Sequence, residues 1–129
     1  MTSGIKIVFD TCAAILLLKG EYELSSLGID VNEACPYISV ITRMELTAKA
    51  DMKSEEEIAI YNFITDVTVS PLDDTVERKA IEIRRATRLK LPDCIIAATA
   101  IVLDAILITN DPHLLNLSFS GYTVKAIAK

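Results

Sequence analysis

The sequence predicts an α/β domain in which helices cover both faces of a mostly parallel, five-stranded sheet. Short apolar strand candidates alternate with helix candidates along the chain, with no repeat, low-complexity stretch or linker between them. Apolar residues make up 51% of the chain and aromatic residues only 5%, so the core must be mainly aliphatic, as in sheets buried on both faces. The length of 129 residues indicates a single domain over residues 1–129.

The first part of the chain contains two strand candidates and three helix candidates. The expected order is a strand at 5–9, a helix at 13–19, a short helix at 21–27, a strand at 37–41 and a helix at 43–50. The strands are apolar runs that contain β-branched residues, and Pro36 precedes the second one. Gly20 and Gly28 are expected to end the first two helices, because glycine readily adopts the left-handed conformation that follows a helix.

The second part continues the alternation and carries clear helix-start signals. Ser54 and Asp74 each stand three residues before a Glu, in the form of a capping box, and Asp111 precedes a proline as an N-cap would. The expected order is a helix at 54–66, a strand at 67–72, helices at 74–88 and 92–103, a strand at 105–109, a short turn at 111–117 and a strand at 122–127.

Helical periodicity also predicts which faces of two helices point inward. The helix at 74–88 should bury Val76, Ala80, Ile83 and either Ala86 or Thr87. The helix at 54–66 should bury a larger apolar set, made up of Ile58, Ile60, Tyr61 and Ile64.

Four acidic residues stand where strand and helix candidates meet. Asp10 and Asp111 come at the ends of strands, and Glu45 lies early in the helix that leaves the second strand. Asp93 opens the helix that runs back toward the start of the fourth strand. Because the carboxyl ends of parallel strands lie at one edge of a sheet, where such sheets bind ligands, all four are expected at that edge.

Other acidic residues are not expected to join these four at the carboxyl edge of the sheet. Asp104 precedes the fourth strand, and the length of a typical strand puts it about 17 Å from Asp111, at the opposite edge. Asp73 and Asp74 follow the third strand but are better explained as helix caps.

Carboxylates gathered in this way favour a hard divalent cation. Two unit charges 4 Å apart repel by about 4 kcal/mol at an effective dielectric near 20, so a cluster needs a cation, a proton or a basic partner. All-oxygen ligands without His or Cys favour Mg²⁺ or Mn²⁺, and such ions promote phosphodiester hydrolysis. The alternative is that each acid acts alone, as a helix cap or as an exposed surface residue.

Charge and composition restrict the remaining function classes. The net charge of −5 argues mildly against nucleic-acid binding, although bound cations would cancel part of it locally. Six basic residues fall close together and indicate either a nucleic-acid surface or a solvated helix face: Arg78, Lys79, Arg84, Arg85, Arg88 and Lys90.

The sequence favours a cytoplasmic location. No apolar run approaches the roughly 18 residues of a membrane span, and no signal peptide is apparent. Cys12, Cys35 and Cys94 lack metal-ligand spacing and are typical of a reducing compartment. A catalytic thiol is disfavoured because His113 is the only histidine available to pair with one.

Around the four acids the chain resembles PIN-domain ribonucleases, most of all the VapC toxins of type II toxin–antitoxin systems. The resemblance covers nearly the whole chain and is carried by four ordered segments, at residues 9–13, 39–46, 91–100 and 107–111. The segment around Asp93 is the most specific of them. Around Asp111 the chain departs from many relatives, which have an Asp-Phe pair a few residues after the last strand.

The resemblance implies an α/β/α sandwich with strand order 3-2-1-4-5 and Mg²⁺- or Mn²⁺-dependent endonucleolytic cleavage of RNA. It also implies a homodimer and a cognate antitoxin, whose tail would cross the cleft and place a basic side chain among the acids. It assigns both catalysis and metal binding to Asp10, Glu45, Asp93 and Asp111. Thr109 and Asn110 would support these four residues.

Two other classes stay open at this point. One is a PIN-like domain that binds RNA or protein without cleaving it. The other is a phospho-acceptor receiver domain, for which Asp73 and Lys125 are loose candidates, although its first strand would need an acidic pair and only Asp10 is present. A phosphatase of the haloacid dehalogenase type would need Asp-x-Asp, and position 12 is Cys12.

Overall fold

The sheet has five parallel strands. The computed structural model describes residues 4–127. The strands are β1 (Ile5–Phe9), β2 (Ala34–Ser39), β3 (Thr68–Ser70), β4 (Ile106–Thr109) and β5 (Thr123–Ala126). Their order is β3-β2-β1-β4-β5, and every neighbouring pair is parallel. The predicted fold class and the strand order implied by the resemblance are both confirmed.

Helices connect the strands and cover the sheet. Within residues 4–127 they are α1 (Thr11–Leu18), α2 (Val40–Thr47), α3 (Ser54–Asp66), α4 (Asp74–Ala86), α5 (Leu91–Leu103) and α6 (Pro112–Leu115), with a 3₁₀ turn at Leu24–Leu27. The described part of the chain contains no helix with both the length and the hydropathy required to cross a bilayer.

Apolar side chains pack on both faces of the sheet, and β1 shows how they divide. Val8 belongs to a buried cluster with side chains of α4 and α5. Ile7 and Phe9 belong to a second cluster with side chains of α1 and α3, in which the rings of Phe9 and Phe63 meet edge to face with centroids 6.0 Å apart. The two central strands β1 and β4, with the sequences IKIVF and ILIT, are accordingly the most apolar, whereas the edge strand β5 is largely exposed.

The second strand and the helix after it lie earlier in the chain than predicted. β2 ends at Ser39, whose hydroxyl accepts a hydrogen bond from the Ile41 amide at 3.1 Å and caps α2. Val40 and Ile41 therefore begin the helix instead of ending the strand. Pro36 lies within β2, beside Ile7 of β1, and not before it. The prediction was wrong because the apolar run outweighed the serine cap.

The buried face of α3 also differs from the predicted one. Ile58 and Tyr61 are 60% and 72% exposed, whereas Phe63 is buried and Ile60 and Ile64 are half-buried. Phe63 lies inward, where its ring meets that of Phe9, while the hydroxyl of the exposed Tyr61 can stay in water. The exposed pair leaves an apolar stripe on the outer surface of α3.

Two helix starts are shifted by one residue relative to the predicted caps. Lys53 is the N-cap of α3, and Glu56 accepts a hydrogen bond from its amide at 3.4 Å. Asp73 caps α4 through the Val76 amide at 3.0 Å, so Asp74 is the first helical residue. The inward face predicted for α4 is confirmed at Val76, Ala80 and Ile83, which are buried. It is wrong at its last position, because Ala86 is exposed and Thr87, beyond the end of the helix, is half-buried.

Candidate functional site

The pairing of β1 with β4 brings distant parts of the chain to one edge of the sheet. Phe9 lies beside Ile108 in the parallel register. The Asp10 amide then donates to the carbonyl of Ile108 at 3.2 Å, so the backbone positions the two strand ends directly. Asp10 and Thr109, 99 residues apart, are therefore held side by side at the carboxyl edge.

Asp10 is buried, with only 4% of its surface exposed, and both carboxylate oxygens are engaged. One oxygen accepts a hydrogen bond from the Ala13 amide at 2.7 Å and caps α1, which is why this helix starts at Thr11, earlier than predicted. The other oxygen accepts from the hydroxyl of Thr109. Each carboxylate oxygen has a further lone pair, so this arrangement leaves capacity for a cation.

Burial raises the pKa of Asp10, in spite of the hydrogen bonds from Thr109 and Ala13, which lower it. The negative charges of Asp111 and Asp93 raise the same pKa further. Burial and the neighbouring charges thus make ionisation of Asp10 less favourable than that of a free aspartate.

Asp93 lies in the first turn of α5 and is half-buried. Its pKa is raised by burial and then by the charges of Asp111 and Glu45, while Lys90 and His113 lower it. Repulsion of this kind acts only between nearby charges, so the pKa shifts of Asp10 and Asp93 together place all four acids in one electrostatic neighbourhood.

Glu45 and Asp111 are held more loosely at the margin of the site. Glu45 is exposed in the second turn of α2, and one of its oxygens accepts from the hydroxyl of Thr11, which also contacts the Thr42 hydroxyl at 3.2 Å. Asp111 is the N-cap of α6 and accepts from the His113 amide at 2.9 Å. Its capping role matches the sequence prediction.

The two supporting residues implied by the resemblance behave differently. Thr109 is fully buried, donates to Asp10 and accepts from the Asp111 amide at 2.9 Å, so it links two of the acids. Asn110 instead accepts from the Ile127 amide at 2.8 Å and fastens the end of β5.

Thr11 and Thr42 are site residues to which the sequence interpretation gave no role. The signal for Thr11 was its place directly after Asp10, but its partner Glu45 lies 34 residues away. Asp104, by contrast, is the C-cap of α5 with a left-handed φ of 56°, at the far end of the helix that Asp93 opens. Asp104 thus lies away from Asp93, as predicted.

Burial and the nearby charges of Asp10 and Asp111 raise the pKa of the exposed Cys12 thiol. The nucleophilic form of cysteine is the thiolate, which a raised pKa makes scarce. The site therefore does not support cysteine nucleophilic catalysis.

The donor set of the site fits a hard divalent cation. It consists of carboxylate and hydroxyl oxygens, which suit Mg²⁺ and Mn²⁺. In the side-chain positions seen across residues 4–127, no group of three His, Cys, Asp or Glu is arranged to hold an ion. Cation binding would therefore need side-chain rotations at the site, and Glu45, which is exposed, has room to rotate.

Comparison with known proteins identifies the family to which this fold belongs. The model of the PIN domain family matches residues 7–120, while no curated protein matches the chain. VapBC2 from Rickettsia felis, solved with a promoter DNA fragment, has a TM-score of 0.80 at 16% identity, covering 96% of this chain and 100% of that chain. DNA-bound VapBC from Salmonella typhimurium has a TM-score of 0.73 at 22% identity, covering 95% and 98%.

A toxin–antitoxin complex from Klebsiella pneumoniae has a TM-score of 0.70 at 26% identity, covering 91% of this chain and 98% of that chain. These structures share the fold, and the family model covers most of the chain together with all four acids. The chain therefore belongs to the PIN domain family.

Proposed function

We propose that this PIN domain is a divalent-cation-dependent endoribonuclease and the toxin of a VapBC-type toxin–antitoxin pair. The observation that carries the proposal is the electrostatic coupling of four carboxylates at the carboxyl edge of the sheet. Burial and repulsion from neighbouring carboxylates raise the pKa values of Asp10 and Asp93, and such an arrangement favours uptake of a cation. PIN domains are in general nucleases, and this supports phosphodiester hydrolysis as the reaction.

Asp10 and Asp93 are the central ligands in this proposal, with Glu45 and Asp111 completing the site. A bound Mg²⁺ or Mn²⁺ would neutralise phosphate charge and lower the pKa of an attacking water molecule. Thr109 orients the Asp10 carboxylate through its hydrogen bond. Thr11 holds the Glu45 carboxylate toward the start of α1.

The partners follow from the structural neighbours. Those neighbours are toxin–antitoxin complexes, which supports a cognate antitoxin as a partner of this chain. We further propose that residues 1–129 act as one domain, that the protein is a homodimer and that it works in the cytoplasm on RNA.

A second candidate is a PIN domain that binds RNA or protein without cleaving it. The observation that favours it is that no three acids stand ready to hold an ion in residues 4–127. The receiver-domain alternative is disfavoured, because that fold has strand order 2-1-3-4-5, whereas here β3 is an edge strand and Asp73 caps α4.

RNA cleavage by the purified chain, freed of antitoxin, separates these candidates. A mixture of end-labelled single-stranded RNAs is expected to be cut internally with MnCl₂ or MgCl₂ and to stay intact with EDTA. RNA ends are read by sequencing, and DNA of the same sequences serves as a substrate control. RNA that is bound but stays intact at every Mn²⁺ concentration would instead support the non-cleaving candidate.

A further inference from the structure

A cavity of about 380 Å³ opens beside the carboxylates. Asp93 forms part of its wall, so the cavity continues directly from the proposed metal centre. Residues 87–90, which connect α4 to α5, form one side, and His113 with residues 116–118 forms the other. Sites for small molecules typically measure about 300–1,000 Å³, so this volume accommodates one nucleotide unit.

The α4–α5 connection is held rigidly. The hydroxyl of Thr87 donates to the Ile83 carbonyl at 2.8 Å and accepts from the Leu89 amide at 3.1 Å. Leu89 is buried, and its carbonyl accepts from the Cys94 thiol at 3.4 Å. These contacts anchor both ends of the connection that lines the cavity.

Two cationic side chains project from this connection into the cavity. All four residues of the connection, 87–90, line the cavity. With Leu89 buried, Arg88 and Lys90 are left exposed and both line the cavity.

Neither cation is neutralised by an ion pair. Within residues 4–127 the ion pairs are Lys49–Glu56 and Lys79–Glu82, and neither involves Arg88 or Lys90. The basic cluster noted in the sequence therefore contains both ion-paired and unpaired residues. Lys79 is paired and lies over the Phe119 ring, while Arg88 and Lys90 remain available to an anion.

The opposite wall of the cavity supplies polar groups next to an apolar surface. Asn116 and Ser118 are exposed and offer hydrogen-bonding groups, while Leu117 adds to the apolar surface of Leu89. This wall is anchored by the buried Leu114, whose carbonyl accepts from the Tyr122 hydroxyl at 2.7 Å. Cations, an apolar surface and scattered polar groups together match a nucleotide, which is anionic at its phosphate and flat and apolar at the face of its base.

We propose that this cavity binds the RNA nucleotide next to the scissile bond, with its phosphate on Arg88 and Lys90 and its base against Leu89 and Leu117. The proposal rests on the proposed function, because it takes RNA as the substrate. It makes Arg88 and Lys90 substrate-binding residues, distinct from the acids that would hold the cation.

RNA affinity measured at several salt concentrations tests the proposal. Asp10→Asn protein, chosen so that RNA stays intact, is titrated with a fluorescein-labelled single-stranded RNA of mixed sequence, and anisotropy is read. One phosphate contact to a single strand contributes about 0.7 to the slope of log K against log salt, or about fivefold in affinity at 0.1 M salt. Arg88→Ala and Lys90→Ala should each lose about that much, and the double variant about 25-fold.

Matched controls remove equal charge elsewhere. Arg85→Ala lies near the end of α4 but does not line the cavity, and Lys6→Ala lies on β1 away from the carboxyl edge. Both should keep the parental salt slope. If Arg88→Ala and Lys90→Ala behave like these controls, or if they weaken binding of poly-glutamate but not of RNA, the cavity is not an RNA site.

The outcomes also separate this proposal from the nuclease proposal. Wild-type protein that cleaves RNA, combined with an unchanged salt slope in Arg88→Ala and Lys90→Ala, would overturn the cavity assignment alone. Wild-type protein that never cleaves RNA, combined with the expected slope changes, would overturn the nuclease proposal and leave the cavity as an RNA-binding site.

Discussion

Asp93→Asn is expected to lower metal-dependent RNA cleavage by more than about 100-fold, because loss of residues that only support a metal ligand already costs about 10- to 100-fold. The substitution removes one negative charge from the site and keeps the size of the side chain. Asp93 is half-buried beside Glu45 and Asp111, so the lost charge lies within the cluster. Initial rates on labelled RNA at saturating MnCl₂ measure the effect.

Asp104→Asn is the matched control for this experiment. It makes the same chemical change at the other end of α5, and asparagine tolerates the left-handed conformation that Asp104 adopts, with φ of 56°. This variant should cleave at the wild-type rate, and both variants should melt as cooperatively as the wild type. Undiminished cleavage by Asp93→Asn, with Asp104→Asn equally active, would remove Asp93 from the mechanism.

Saturating Mn²⁺ is expected to raise the melting temperature of the wild-type protein by about 10 °C. A ligand at 100 times its dissociation constant stabilises the folded state by about 2.7 kcal/mol, and each kcal/mol shifts the melting temperature of a domain this size by several degrees. Asp10→Asn should abolish most of this shift, because it removes the most deeply buried carboxylate. Differential scanning fluorimetry with and without Mn²⁺ measures both proteins.

The same variant carries an internal control in EDTA. Because the folded-state pKa of Asp10 is raised, the folded state prefers the protonated acid, and stability falls as pH rises from the ordinary pKa of 3.8 through the raised one. Asparagine keeps an oxygen that can cap α1 but carries no charge. Asp10→Asn should therefore melt no lower than wild type at pH 8 without metal, and a large fall would instead indicate a purely structural role for Asp10.

The sequence was sufficient for the architecture of the site because that architecture depends on local signals. Strand ends, helix caps and the parallel order bring Asp10, Asp93 and Asp111 to one edge, and each signal lies within a few residues of the acid concerned. Asp10 and Asp111 both act as N-caps as well. The capping alternative and the metal-site interpretation thus describe compatible roles of the same side chains.

What the sequence could not supply depended on tertiary contacts. The hydroxyl of Thr11 meets Glu45 only after α1 and α2 pack together. Similarly, the inward turn of Phe63 on α3 follows from its contact with Phe9, and an apolar pattern alone does not choose between Phe63 and Tyr61.

The division of the basic cluster is another tertiary effect. In sequence, Lys79, Arg88 and Lys90 are equivalent positive charges. In the fold, Lys79 pairs with Glu82, whereas Arg88 and Lys90 are exposed and line the cavity. The sequence therefore indicates a basic stretch, but it does not indicate which residues of that stretch face the site.

The most direct test of the central claim, that the four carboxylates hold a divalent cation, is anomalous X-ray scattering from crystals grown in saturating MnCl₂. The account predicts a manganese peak at the carboxyl edge of the sheet, within about 2.3 Å of oxygens of Asp10 and Asp93, a distance typical of oxygen ligands. Manganese found only elsewhere on the protein, with Asp10 still bonded solely to Ala13 and Thr109, would contradict it.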